Sequence, residues 1–191
     1  MNLALARAGI EALIFASMEP VTVKIMAEAL GLAEHTVRQL LADLMDEYQK
    51  TKRGIQIVET AGGYMFLTHP ECASFVEKLQ RTPRNVPLSQ AALETLAVIA
   101  YRQPITRAEI ENLRGVRVDS ALATLMEKDL VEEVGRRDAP GRPILFGTTR
   151  SFLKYFGLRD LTDLPSPEEW TSTPKTEGET HADEASDRVE A

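Results

Sequence analysis

The feature that most restricts how this chain can fold is a repeat. Ile14-Phe15-Ala16-Ser17-Met18-Glu19-Pro20-Val21-Thr22 lines up residue for residue with Val98-Ile99-Ala100-Tyr101-Arg102-Gln103-Pro104-Ile105-Thr106, and Gly31 and Gly115 keep the same register. Each copy reads as an apolar helix that runs up to a proline. Thr22 or Thr106 then stands where an N-cap starts a short second helix, its hydroxyl suited to accept from a backbone N–H left without an intrahelical partner. Gly31 or Gly115 breaks that helix before a third begins. The third helix carries Val37, Leu40, Leu41 and Leu44 at i, i+3, i+4 and i+7 in the first copy, and Leu122, Leu125, Met126 and Leu130 close to that pattern in the second.

Beyond each third helix the apolar period changes from helical to roughly two. Ile55 and Ile57 form one run and Tyr64, Phe66 and Thr68 another, with Gly62-Gly63 as the turn between them. In the second copy Leu130 to Val134 is followed by a polar loop containing Pro140-Gly141, then by Ile144-Leu145-Phe146 before Gly147. Three helices followed by a β-hairpin make a winged helix, a variant of helix-turn-helix. The expected fold class is therefore mainly α with small β-hairpins, an α+β chain of tandem winged-helix domains. The N-terminal domain is expected over residues 1–81, a linker broken by Thr82-Pro83 and Val86-Pro87 over 82–88, and the C-terminal domain over 89–164. The two are expected to be tethered rather than fused. Residues 165–191 read as an acidic, disordered tail, because Pro, Ser, Thr, Glu and Asp cannot bury enough surface to offset chain entropy. Trp170 is the exception within it, a side chain either docked on a domain or partner or simply exposed.

The net charge of −7 lies mostly in that tail, where eight carboxylates face only Lys175 and Arg188. The rest of the chain is close to neutral, so any contact with nucleic acid has to come from a local basic patch. A single cysteine, Cys72, excludes an intrachain disulfide and a cysteine-based zinc site, and nothing calls for an oxidising compartment. Arg7 and Glu11 interrupt the apolar N-terminus where a secretory leader would need an uncharged run, and no stretch is apolar for long enough to span a bilayer. A cytoplasmic protein without a membrane contact is expected. His35, His69 and His181 are far apart and none stands at metal-ligand spacing from another or from Cys72, so no metal site is expected. Gly62-Gly63 lacks the lysine of a phosphate loop. Cys72 and His69 are sequence neighbours without a third group to complete a nucleophilic site. No catalytic residue and no cofactor is expected.

Several separated motifs, in order, carry a family resemblance. Ala92-Leu93-Glu94-Thr95-Leu96-Ala97-Val98-Ile99-Ala100-Tyr101-Arg102-Gln103-Pro104-Ile105-Thr106-Arg107-Ala108-Glu109-Ile110 is followed by Arg114-Gly115-Val116, Pro140-Gly141-Arg142-Pro143, Gly147-Thr148-Thr149, Phe152-Leu153 and Phe156-Gly157-Leu158. In these the second domain resembles the bacterial segregation and condensation protein B family. The Glu11-Ala12-Leu13-Ile14-Phe15 helix and the glycine-turned wing extend the resemblance to the first domain. Phe146 stands where the family has a tyrosine, which leaves the ring a packing role without a hydroxyl. The resemblance implies a non-enzymatic accessory subunit of a condensin-like SMC–kleisin complex, acting in chromosome condensation and partition during cell division. It implies a homodimer that binds the kleisin, segregation and condensation protein A. Contact with the SMC ATPase is then through the kleisin, contact with chromosomal DNA mainly indirect, and the location cytoplasmic and nucleoid-associated.

The residues themselves add three candidate surfaces. On a helical wheel Leu3, Ile10, Leu13 and Ile14 fall on one side of the first helix, and Leu5, Ala8, Ala12, Phe15 and Ala16 on the other. The second side has to be covered by something, either the later helix of the same domain near Cys72 to Leu79 or a second copy of the chain. Leu5, Ala8, Ala12 and Phe15 are the expected dimer contact. For the kleisin, the second domain offers Tyr101, Ile144, Phe146, Phe152 and Phe156. For DNA, the alternative function being a winged-helix transcriptional regulator, Arg136, Arg137 and Arg142 lie in the second wing, with Arg114 and Arg117 nearer the third helix. The third helix of the first domain is a poor reader of DNA, because it presents Glu34, Asp43, Asp46 and Glu47 beside Arg38 and Gln39.

Overall fold

A computed structural model describes residues 2–79 and 87–166. Most of the expected linker, 82–86, and the tail beyond Ser166, Trp170 included, lie outside the described residues.

The first repeat unit folds as α1 (Leu3–Ala16), α2 (Val23–Leu30), α3 (Glu34–Lys50), β1 (Ile55–Thr60) and β2 (Gly63–Thr68), with a short α4 (Ala73–Leu79) trailing it. Thr22 caps α2 by accepting from the Ile25 N–H, and Gly31 ends it at φ 64°. Ile10, Ile14, Met26, Val37, Leu40, Leu41, Leu44 and Ile57 make a core from which solvent is almost excluded. The four leucine and valine positions counted along α3 are all in it.

The second unit repeats the plan with α5 (Gln90–Arg102), β3 (Ile105–Thr106), α6 (Arg107–Arg114), α7 (Asp119–Glu127), β4 (Val131–Arg136), β5 (Ile144–Thr148) and α8 (Arg150–Phe156). Thr106 and Glu109 cap α6 reciprocally, the hydroxyl accepting from the Glu109 N–H and the Glu109 carboxylate accepting from the Thr106 N–H. Gly115 ends it at φ 69°. Leu96, Ile99, Ile110, Val118, Leu122, Leu125, Leu130 and Phe146 form a second, separate core. Met126, counted with the apolar stripe of the third helix, is 40% exposed, and Leu130 is buried just beyond the helix end.

The strands preserve the repeat more closely than the periodicity suggested. Val21 pairs antiparallel with Tyr64, as Ile105 pairs with Phe146. The first hairpin turns on Ala61-Gly62, not Gly62-Gly63, with φ 48° and 72° at its two central residues. That is the handedness a two-residue hairpin needs. Gly63 is the first residue of β2, where a Cβ would lie 2.8 Å from the Pro20 carbonyl carbon. Its role is close approach between backbones. In the second sheet the order is β3-β5-β4, so the strand bearing Ile144 and Phe146 is the middle one.

The two halves are more than tethered. The Ala61 N–H donates to the Leu158 carbonyl at 3.0 Å and the Gly62 N–H to that of Arg159 at 3.1 Å. The Thr60 hydroxyl, 1% exposed, donates to Leu158 O at 2.9 Å, with Leu153 O at 3.3 Å. An Arg150 guanidinium N–H donates to Ala61 O at 2.9 Å, and Lys154 pairs with Glu19 at 2.8 Å. The tip of the first wing thus bonds backbone carbonyls of the segment that follows α8, at Leu158 and Arg159, two and three residues beyond the helix end.

Candidate functional site

α1 has two apolar sides and only one is covered. Ala6, Ile10 and Ile14 are buried, while Leu5 is 63% and Phe15 80% exposed. Ala8, Ala12 and Ala16 are exposed between them. Leu3, grouped with the core side on the wheel, is 62% exposed instead, because the helix begins there and overhangs the core. α1 is fixed against α3 by an Arg7–Glu47 ion pair and by Tyr48 Oη donating to Glu11 at 2.7 Å. α4 leaves Phe15 open, and its own Phe75 and Leu79 are 69% and 82% exposed. The expected dimer residues therefore form an open apolar strip with small residues at its centre.

The five aromatic and aliphatic positions expected at the kleisin surface separate by burial. Phe146 and Phe152 are 6% and 3% exposed and belong to the second core, so they are packing residues and not accessible anchors. Burial follows from position: Phe146 is on the middle strand, and Phe152 is on the inward side of α8. Ile144 packs partly against the same core. Phe156 is 44% exposed, its ring centroid 4.9 Å from that of Phe152 with the two rings tilted at 48°, and Tyr155 beside it is 59% exposed. Tyr101 is half-buried, its hydroxyl donating to the Pro165 carbonyl at 2.7 Å.

The wing arginines differ as much. Arg137 donates to Glu109 at 2.6 Å, and this bond, with those from Thr106, lowers the Glu109 carboxyl from 4.5 to about 2. Arg114, the side chain expected near a DNA surface, is turned inward: it bonds Ala91 O and Thr95 Oγ1 and pairs with Glu94 at 2.6 Å. Arg136 and Arg142 remain exposed. On α3, Arg38 pairs with Glu34 and Lys50 with Asp46, which leaves little positive charge for phosphate. His69 Nδ1 accepts from the Glu71 N–H and caps a 3₁₀ turn.

Two features were not singled out in advance. One is the wing-to-α8 contact, which local periodicity cannot reveal. The other is a cleft of about 380 Å³ between the end of α5, α6 and the second wing, lined by Arg102, Ile105, Glu109, Leu113 and Arg137 among others. Its Thr106-x-x-Glu109 element was readable as a capping box.

A family model described as "Segregation and condensation complex subunit ScpB" matches residues 8–167. Segregation and condensation protein B of Symbiobacterium thermophilum is 58% identical over 165 residues, 86% of this chain and 75% of that protein. Its counterpart from Moorella thermoacetica is 53% identical over 163 residues, 85% of this chain and 83% of that one. The crystal structure of ScpB from Mycobacterium tuberculosis is 37% identical and covers 83% of this chain and 98% of its own, at a TM-score of 0.42. With the family model spanning both repeat units and relatives more than half identical over most of their length, the chain belongs to the ScpB family of segregation and condensation complex subunits.

Proposed function

We propose that this chain is a non-enzymatic accessory subunit of a condensin-like SMC–kleisin complex, acting in chromosome condensation and partition. It dimerises through the outer strip of α1 and binds the kleisin, segregation and condensation protein A, on its C-terminal domain. It meets the SMC ATPase through the kleisin and the chromosome mainly indirectly, in the cytoplasm at the nucleoid. Family membership supports the complex, and the observation that carries the association is α1 itself. A helix with Ile10 and Ile14 sealed on one side and Leu5 and Phe15 open on the other holds an apolar strip in water that a second copy would cover, with Ala8 and Ala12 allowing close approach between helices.

Light scattering is expected to give a dimer for the wild type and a monomer of unchanged helicity for Ala12→Glu, which sets a charge in the contact. A wild-type monomer at micromolar concentration overturns the dimer. For the kleisin, Tyr101 and Phe156 are the accessible aromatic candidates. Tyr101→Ala or Phe156→Ala is expected to weaken binding of a central kleisin fragment by about 2 kcal/mol if that ring is an anchor. Unchanged calorimetric affinity in both removes this surface. Direct DNA binding by Arg136 and Arg142 is the competing reading, and a steep loss of affinity for random duplex with rising salt would favour it.

A further inference from the structure

The open side of α1 is a short heptad seam that reads alike in both directions. Leu5, Ala8, Ala12 and Phe15 are spaced three, four and three apart, so two large side chains flank two small ones. The only charged residues of the helix are turned to α3, Arg7 pairing with Glu47 and Glu11 accepting from Tyr48 Oη. No charge therefore interrupts the seam. Two copies of it can pair in register in two ways. With both helices pointing the same way, Phe15 meets the partner's Phe15 at one end and Leu5 the partner's Leu5 at the other, so the rings wedge one end apart. Antiparallel about residue 10, Leu5 meets the partner's Phe15 at both ends and Ala8 meets the partner's Ala12 between them. The helices then cross closely at the alanines, the large side chains fill equal gaps on either side, and the helix dipoles oppose.

A second unpartnered surface supplies the area that the seam lacks. Leu3, Leu5, Phe15 and the exposed alanines of α1 offer roughly 500 Å², short of the ~800 Å² per subunit in a stable interface. α4 is a helix of seven residues, too short to hold its form in water by itself, and within it only Val76 is even half-buried. Its Phe75 and Leu79, at i and i+4, are open and add roughly 300 Å². Contacts on the page place the start of α4. Arg53 pairs with Glu47, the partner of Arg7, and lies over the Tyr48 ring. The next residue, Gly54, accepts at its carbonyl from the His69 N–H at 2.8 Å, and Cys72 Sγ lies 3.6 Å from where a Gly54 Cβ would stand. α4 therefore starts at the end of α1 that carries Arg7 and Leu5. In the antiparallel pair that end adjoins the partner's Phe15.

We propose that α1 pairs antiparallel with α1 of a second copy, Leu5 on the partner's Phe15 and Ala8 on the partner's Ala12, and that α4 reaches across to cover the partner's Phe15 with Phe75 and Leu79. This rests on the dimer reading above and adds its direction, its register and an arm exchanged between the copies.

Cross-linking reads the register in the full-length protein with its one native cysteine removed by Cys72→Ser. Mild oxidation of a mixture of Leu5→Cys and Phe15→Cys is expected to join the two variants. Neither is expected to join to itself, because the two Leu5 positions lie about 15 Å apart along the antiparallel pair, beyond the reach of a disulfide. Ala8→Cys with Ala12→Cys repeats the test in the central layer without removing a large side chain, and the mixed product is again expected to dominate. Phe75→Ala with Leu79→Ala is expected to raise the dimer dissociation constant about thirtyfold. The same pair of changes is expected to leave the thermal transition of the monomeric Ala12→Glu protein unmoved, because neither side chain is buried in its own copy. Three results overturn the proposal in a protein that light scattering shows to be dimeric: self-cross-linking of Leu5→Cys, no mixed product at either pair, or an unchanged dissociation constant in the α4 variant. The dimer reading survives all three, whereas a monomeric wild type overturns both.

Discussion

Phe146 and Phe156 carry the same ring in the same half of the chain, and their surroundings give them different work. Phe146 sits among Leu96, Ile99 and Leu125 in the second core, while Phe156 lies at the surface with its ring tilted against that of Phe152. Phe146→Ala is expected to destabilise the fold by about 3–5 kcal/mol, and Phe156→Ala by about 1 kcal/mol or less, in urea unfolding. A comparable loss from both would contradict the burial assignment. The short apolar run Ile144-Leu145-Phe146 before Gly147 identified the strand but not its place in the sheet, so the sequence could not tell anchor from packing residue. Glu109 makes a second residue-level case. Its carboxyl is lowered from 4.5 to about 2, first by the Arg137 bond and then by those from Thr106. A depressed folded value means that its favourable contribution is present above pH 4.5 and is lost as pH falls through about 2. An NMR titration of the Glu109 carboxyl is expected to give the low midpoint in the wild type and one raised part of the way in Arg137→Ala, where the Thr106 bonds remain.

At the scale of elements, what was legible was what local chemistry decides. The threonine caps, the glycine stops and the α3 stripe all stand where the repeat put them, because each depends on residues within one or two turns. The reciprocal cap at Thr106 and Glu109 is strong enough to test: Thr106→Ala is expected to cost about 1 kcal/mol in thermal or denaturant unfolding, and Thr106→Ser much less. The hairpin turn was misread by one residue for an instructive reason. Gly62-Gly63 looks like the place where positive φ is needed, yet Ala61 takes the left-handed position at φ 48° and Gly63 is kept small by the Pro20 backbone. Glycine serves two purposes, conformational freedom and close approach, and sequence does not distinguish them. For the same reason the second side of α1 was recognisable as apolar from its spacing, while only the placement of α4 leaves Phe15 uncovered.

At the scale of the whole molecule, the two cores are separate but their relation is specified. Thr60, Ala61 and Gly62 contact residues nearly a hundred positions later, a pairing that no window of the sequence contains. Thr60→Val keeps the shape and removes the hydroxyl. It is expected to cost about 1–2 kcal/mol and to broaden the calorimetric transition toward two steps, one per domain. A single transition of unchanged width would mean that the contact does not couple the domains. The same joint carries its own clock. Amide protons at the tip of a two-residue hairpin ordinarily face water and exchange quickly, but those of Ala61 and Gly62 are bonded to carbonyls of the other domain. Their exchange rate therefore counts separations of the two domains, while neighbouring strand amides count opening of the hairpin, so two backbone protons distinguish movement between the halves from unfolding within either one.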